Sequence, residues 1–265
     1  MLKAKDFRKC YKSLIKLYGA IISDDIFKIL KHYYPDLKKR DLNADLKTRC
    51  DKSTRGYVVY RTNDRKYLLT NDMMTFPMVD ALFQKQEGKS FYIPDTLKEF
   101  LAYGDFDEWL NNLDDIHQEV KEKLESILSE EDIIKFLFMC GTNTEYTKDS
   151  PLDSFKEDMD FMEIKYNAED EDFLVFCYNL LLINTRYPVH KGHTPLEMFV
   201  LSGKEEFEQF VDGMIDQIRN GIYNGDINPQ KLLENVDDLE MDEISKETIR
   251  DELREIITDL DRYKA

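Results

Sequence analysis

The sequence is poor in the residues that turn a chain. Ten glycines and seven prolines in 265 residues are few for a fold of many hairpins. With leucine, lysine, glutamate and aspartate abundant, this favours a mainly helical protein. Cysteine is scarce too, and the four thiols, at positions 10, 50, 140 and 177, form no CxxC or other close pair. Thiols scattered in this way suit a reducing compartment, where they serve as small core residues. Long apolar runs are missing: the longest, residues 173–183, is interrupted by Asn179 and too short to cross a bilayer. The opening MLKAKDFRKCY lacks the apolar stretch of a signal peptide. A soluble cytoplasmic protein with no membrane partner is the expectation. Walker A, GxGxxG and GxSxG patterns are also lacking, so neither an enzyme nor a cofactor is expected.

What is present is apolar enough for a core, at 42% of residues, and charged unevenly. The net charge of −17 hides two opposed parts. Residues 1–66 hold 18 Lys and Arg against 8 Asp and Glu, a net of +10; the remainder holds 19 against 46, a net of −27. A basic head on an acidic body bears on partners and on domain boundaries.

Within the head, Phe7, Tyr11, Leu14, Ile15 and Tyr18 recur at helical spacing, and Gly19 is placed to end the helix. Ser23 is expected to cap a second helix through Ile26, Ile29, Leu30 and Tyr33, which Pro35 stops. A third carries Leu42, Leu46 and Cys50 at i, i+4 and i+8, starting near Lys38. The period then changes: GYVVYR and KYLLT read as strands joined by a turn at residues 62–65. Three helices followed by a hairpin resemble a winged helix, a fold whose third helix often enters the DNA major groove. The resemblance assigns Lys38, Lys39, Arg40, Asn43, Lys47 and Arg49 to the recognition-helix region, and Arg61, Arg65 and Lys66 to the hairpin. The cations would hold phosphates, while Asn43 or Arg49 would reach a base edge. Against this, Asp41 and Asp45 place negative charge on the same helix. A protein-binding role for the same fold is the alternative.

From Asn71 onward the reading is helix after helix. A short one falls within residues 94–103 and ends at Gly104; a longer one spans 105–128. Ser129 caps a helix over 130–140 with Gly141 beyond it, and Pro151 opens another. Four carboxylates at 169–172 precede the apolar FLVFCYNLLLI, where acids suit the positive end of the helix dipole. The domains expected are a winged-helix-like 1–72, an acidic helical 73–240, and a C-terminal amphipathic helix in 241–265. In that helix Ile249, Leu253, Ile256, Leu260 and Tyr263 form one apolar seam.

The stretch HKGHTPLE, residues 190–197, poses a choice between a metal centre and a helix start. Thr194 as N-cap, Pro195 at the first helical position and Glu197 three residues after the cap make a complete capping box. His190 and His193 would need further ligands to hold zinc, so no metal is assigned. The same stretch carries a resemblance. Asn184-Thr185-Arg186 followed by HKGHTPLEMF looks like the NNTR…RGHTPNEL segment of uncharacterised helical proteins of Gram-positive bacteria. LYGAIISDDIFKIL and FYIPDTLKEFLAYGDFDEW are similar to further segments of theirs. Those proteins often end in a zinc-binding SEC-C motif; this sequence has no such Cys-rich motif, so the resemblance implies no zinc. It also lends no activity.

One enzymatic pattern occurs, Asp153 with Glu163-Ile164-Lys165, similar to the D…ExK of metal-dependent nucleases. That chemistry needs a central sheet around FMEIKY. The expected function is instead a non-enzymatic regulatory or interaction protein contacting nucleic acid through its basic head. The alternatives are a protein-interaction adaptor, with the acidic domain or the 245–264 helix as the docking element, and an acidic nucleic-acid mimic.

Overall fold

The apolar stripe of residues 7–18 forms α1 (Ala4–Tyr18), with Phe7, Tyr11, Leu14, Ile15 and Tyr18 all buried. Gly19 ends it at φ +69°, its N–H closing on the Ile15 carbonyl at 2.8 Å. A β-carbon at Gly19 would stand 2.9 Å from Leu82 Cδ2, so glycine answers both the backbone and the packing. Strand β1 (Ala20–Ile22) follows at once, then α2 (Ser23–Tyr33), α3 (Lys39–Arg49), β2 (Val58–Arg61) and β3 (Tyr67–Thr70). The three strands form one antiparallel sheet in the order β1-β3-β2. The hairpin foreseen in the sequence is there, and β1 extends it to three strands. Three residues between a helix-ending glycine and the next helix are too few to show a period of two. The strand is defined by its partner, through Ala20 opposite Thr70 and Ile22 opposite Leu68.

Ser23 does not cap α2. Ile22 holds the cap position without a side-chain bond, and the buried Ser23 hydroxyl accepts the Tyr67 N–H at 3.3 Å. That bond ties the helix start to β3.

Alternation along the strands covers both faces of the sheet. Ile21, Val59 and Leu69 enter the core built by α1, α2 and α3, while Ala20 and Leu68 pack on Val79 and Leu82 of α4 (Phe76–Lys85). The chain returns through α5 (Leu97–Ala102), whose Phe100 lies in the first core, stacked on Tyr33 with ring centroids 4.9 Å apart.

Further helices are α6 (Phe106–Leu110), α7 (Asp115–Leu124), α8 (Glu130–Thr142), α9 (Pro151–Phe161), α10 (Glu171–Asn184) and α11 (Pro195–Ser202). The single helix expected over 105–128 is two. Asn111 and Asn112 bond back to the carbonyls of Asp107 and Glu108 as α6 ends, and Asp114 Oδ1 accepts the His117 N–H at 2.9 Å to restart the chain as α7. Gly141 lies inside α8, not beyond it; a β-carbon there would meet the Trp109 ring at 3.3 Å. Ser129 caps α8 as expected, accepting the Asp132 N–H at 3.2 Å. Helices α7 to α10 enclose a second core around Phe136, Phe155, Tyr178 and Leu181. Residues 162–167 contain no strand, and Glu163 sits at φ +55°, so the D…ExK pattern lacks the sheet its chemistry needs at that place.

This computed structural model describes residues 4–50, 52, 56–142 and 151–202, with 250, 251, 254 and 257. The 245–264 seam otherwise lies outside the described residues. Two compact units divide the chain, Met1–Met198 and Phe199–Ala265. Among the described residues no helix is long and apolar enough to cross a membrane.

Candidate nucleic-acid interface

Leu42 and Leu46, both buried, seat α3 on the first core and leave the opposite side of the helix in water. That side carries Arg40, Ala44, Lys47 and Thr48, all exposed, at i, i+4, i+7 and i+8. Ala44, the smallest side chain of the four, lies between the two cations. Lys38 holds the N-cap position, exposed, with no side-chain cap bond. Across from α3, the hairpin ends in a turn closed by Thr62 N–H to Lys66 O at 3.0 Å and Arg65 N–H to Thr62 O at 3.1 Å. Arg65 occupies the left-handed region at φ +65° and, like Arg61, is exposed.

Carboxylates divide the nine residues singled out in the sequence. Asp24, in the first turn of α2, accepts from Lys39 at 2.5 Å and from Lys66 at 3.3 Å, so one carboxylate joins α3 to the hairpin. Hydrogen bonds from Lys39 and then Lys66 hold its pKa below the usual range. Arg40 meets Asp41 at 3.4 Å, an exposed pair of little energetic weight. Arg49 belongs to the interior. Its Nε and Nη2 donate to the two oxygens of Asp45 at 2.7 and 3.1 Å, and Nη1 to the Tyr57 hydroxyl at 3.1 Å. Tyr11 OH donates to the same Asp45 at 2.9 Å. The fork and the Tyr57 bond take three of the five guanidinium N–H donors into the fold and fix its direction. Asn43 is half-buried, its Oδ1 enclosed and without a hydrogen-bond partner. Lys38, Lys47, Arg61 and Arg65 form no ion pair among the described residues.

The stretch HKGHTPLE is a clasp. Thr194 Oγ1 accepts the Glu197 N–H at 3.0 Å and Glu197 Oε2 accepts the Thr194 N–H at 3.1 Å, a reciprocal capping box opening α11. Arg186 closes on it with Nη1, 3.0 and 2.8 Å from the two Glu197 oxygens, while Nε donates to Tyr103 OH at 2.9 Å. The guanidinium lies 3.4 Å from the Tyr92 ring centroid. Gly192, at φ +81°, passes so near Tyr18 that a β-carbon would sit 3.0 Å from its ring. Burial would raise the Glu197 pKa, but bonds from His193, Arg186 and the Thr194 N–H outweigh it and bring it down to about 2. An ionised carboxylate only accepts, so His193 Nδ1 is the donor to Glu197 at 3.2 Å, and its Nε2 lies 3.4 Å from Ser90 Oγ. His190 Nδ1 lies 3.3 Å from Lys89 Nζ. Both rings thus have protein partners, and among the described residues no three His, Cys, Asp or Glu cluster for a metal. Arg186, Tyr92 and Tyr103 lie up to 94 residues apart along the chain, so no spacing joins them in the sequence, although all three fall in the segments that carry the family resemblance.

Comparison with models of protein families, with curated proteins and with solved structures finds no match to this chain.

Proposed function

We propose that the N-terminal region contacts nucleic acid through the exposed side of α3 and the β2–β3 hairpin, as a non-enzymatic regulatory or interaction protein. The order α1-β1-α2-α3-β2-β3 with the sheet order β1-β3-β2 supports reading this region as a winged helix. The observation that carries the function is the set of exposed cations, Lys38 and Lys47 on α3 with Arg61 and Arg65 on the hairpin, left without carboxylate partners among the described residues. In that arrangement α3 faces a groove and the four cations hold backbone phosphates. Arg49 and Asn43 are positioned as structural residues, so the contact is of low sequence specificity. The acidic helical remainder adds repulsion for the same phosphates, confined to about 8 Å at physiological salt.

The test is a salt titration of the full chain on short duplex DNA. Each phosphate contact contributes about 0.9 to the slope of log K against log salt. Neutralising Lys38, Lys47, Arg61 and Arg65 to alanine is expected to lower the slope by up to about 3.6. A full chain that does not bind at about 50 mM salt sinks the reading.

A specific observation favours a second reading, the protein-interaction adaptor. Met73, Phe76 and Met78, beside the sheet, are exposed by 82, 58 and 51%, and apolar side chains clustered in water are a usual feature of protein contacts. Loss of a protein partner on Phe76→Ser, with DNA binding absent, would establish that reading in place of the first.

A further inference from the structure

Over residues 5–18 of α1, where exposure is described, the exposed side is made of cations alone: Lys5, Arg8, Lys9, Lys12 and Lys16. They follow the intervals 3, 1, 3 and 4, which keep them on one side of a helix turning 3.6 residues at a time. The row runs for about 17 Å at 1.5 Å per residue. Lys5, Arg8, Lys9 and Lys12 form no ion pair among the described residues, whereas α3 and the hairpin have Asp24, Asp41 and Asp45 drawn onto Lys39, Lys66, Arg40 and Arg49. Acids outnumber bases 54 to 37 in the chain, so a helix side of five cations and no carboxylate runs against its composition. Asp6 lies off this row and is half-buried. At the far end Gly104 lies against Lys12, and the Lys16 ammonium bonds the Gly141 carbonyl, leaving four cations for a partner.

We propose that this row on α1 is a second polyanion-binding surface, which takes the phosphate backbone of duplex DNA without reading its sequence. The chemistry favours a linear polyanion over a single anion, because the β-carbons of cations three or four residues apart stand about 5–6 Å from one another along the helix and form a row, not a ring around one point. A membrane is disfavoured: interfacial helices insert an apolar face, and here that face, from Phe7 to Tyr18, is wholly inside the core. The proposal rests on the reading that this region binds nucleic acid, but it moves phosphate contacts to an element outside the winged-helix groove face.

The experiment uses the full chain on labelled duplex DNA, with salt titrations of four proteins. These are the wild type, Lys5/Arg8/Lys9/Lys12→Ala, Lys38/Lys47/Arg61/Arg65→Ala, and a charge-matched Lys98/Lys121/Lys123/Lys156→Ala control. Alanine is a strong helix former at exposed positions, so the α1 variant is expected to keep the helical circular dichroism and melting of the wild type. It should lose up to about 3.6 from the slope, while the control keeps the wild-type slope. A slope unchanged in the α1 variant but reduced in the α3 and hairpin variant overturns this proposal and leaves the function standing. The reverse pattern supports α1 and removes α3 and the hairpin from the interface. A control that falls as far as the α1 variant, or a wild type that does not bind, overturns the proposal. An α1 variant that releases phosphatidylserine vesicles but not duplex DNA overturns it in favour of a membrane surface.

Discussion

At the scale of single residues, the same chemistry types serve different ends according to what lies beside them. Arg49 and Arg65 look alike in the sequence, yet one is locked by Asp45 and Tyr57 inside the fold and the other stands in solvent. Nothing in the spacing of Arg49 and Asp45 told a buried fork from an ordinary i,i+4 surface pair; burial of Tyr11 and Tyr57 around them decides it. Thr194 and Glu197 were legible because a capping box is local, complete within four residues. Thr194→Ala should cost about 1 kcal/mol in a denaturant melt, with helix α11 fraying first. Glu197 makes a pH prediction. Its folded pKa of about 2 lies below the ordinary 4.5, so its ionised form stabilises the fold above that ordinary value. The contribution is lost as pH falls from about 4.5 towards about 2. Glu197→Gln should be less stable at neutral pH and show a flatter acid-unfolding profile across that window. Parallel profiles for the two proteins would mean that the clasp carboxylate is not what acid attacks.

Among elements, those marked by a local signal are the ones the sequence announced. α1, α2 and α3 show apolar spacing, β2 and β3 flank a turn, and Ser129 caps α8. β1 and the break between α6 and α7 were hidden for opposite reasons. The first depends on a partner strand 50 residues away, the second on two asparagines and an aspartate inside an otherwise helical pattern. The hairpin tip offers a prediction that separates folding from binding. Arg65 holds a left-handed conformation at φ +65°, which costs a side-chain-bearing residue roughly 1–2 kcal/mol and glycine almost nothing. Part of that gain is offset by the greater freedom of glycine in the unfolded chain. Arg65→Gly should therefore match or exceed the wild type in stability, by up to about 1 kcal/mol. It should also lower the DNA salt slope by about 0.9. A destabilised variant would show that the Arg65 side chain supports the turn, and its binding defect would then say nothing about phosphates.

For the whole molecule, the charge change near residue 66 and the limits of the first core do not coincide. The sequence shows where basic surface gives way to acidic surface, because charge sits in the composition of each segment. It does not show which later residues return to an earlier core. Phe100 is fully buried against Tyr33 in the core of α1 to α3, and Val79 and Leu82 cover the second face of the sheet. Gln86 donates to the Tyr18 and Pro188 carbonyls at 3.0 and 2.7 Å, which brings the segment before the clasp onto the end of α1. A fragment ending at residue 72 lacks all of these. Losing one buried phenylalanine costs about 3–5 kcal/mol, a large share of the 5–15 kcal/mol that stabilises an ordinary domain. Residues 1–72 should therefore unfold well below the full chain or fail to unfold cooperatively, and residues 1–103 should recover part of the difference. Residues 1–202, which carry Pro188 and the clasp, should recover most of it. Thermal melts by circular dichroism rank the three fragments. A cooperative transition for residues 1–72 as high as that of 1–202 would show that the basic head folds on its own, and that Phe100, Gln86 and α4 merely rest on a finished core.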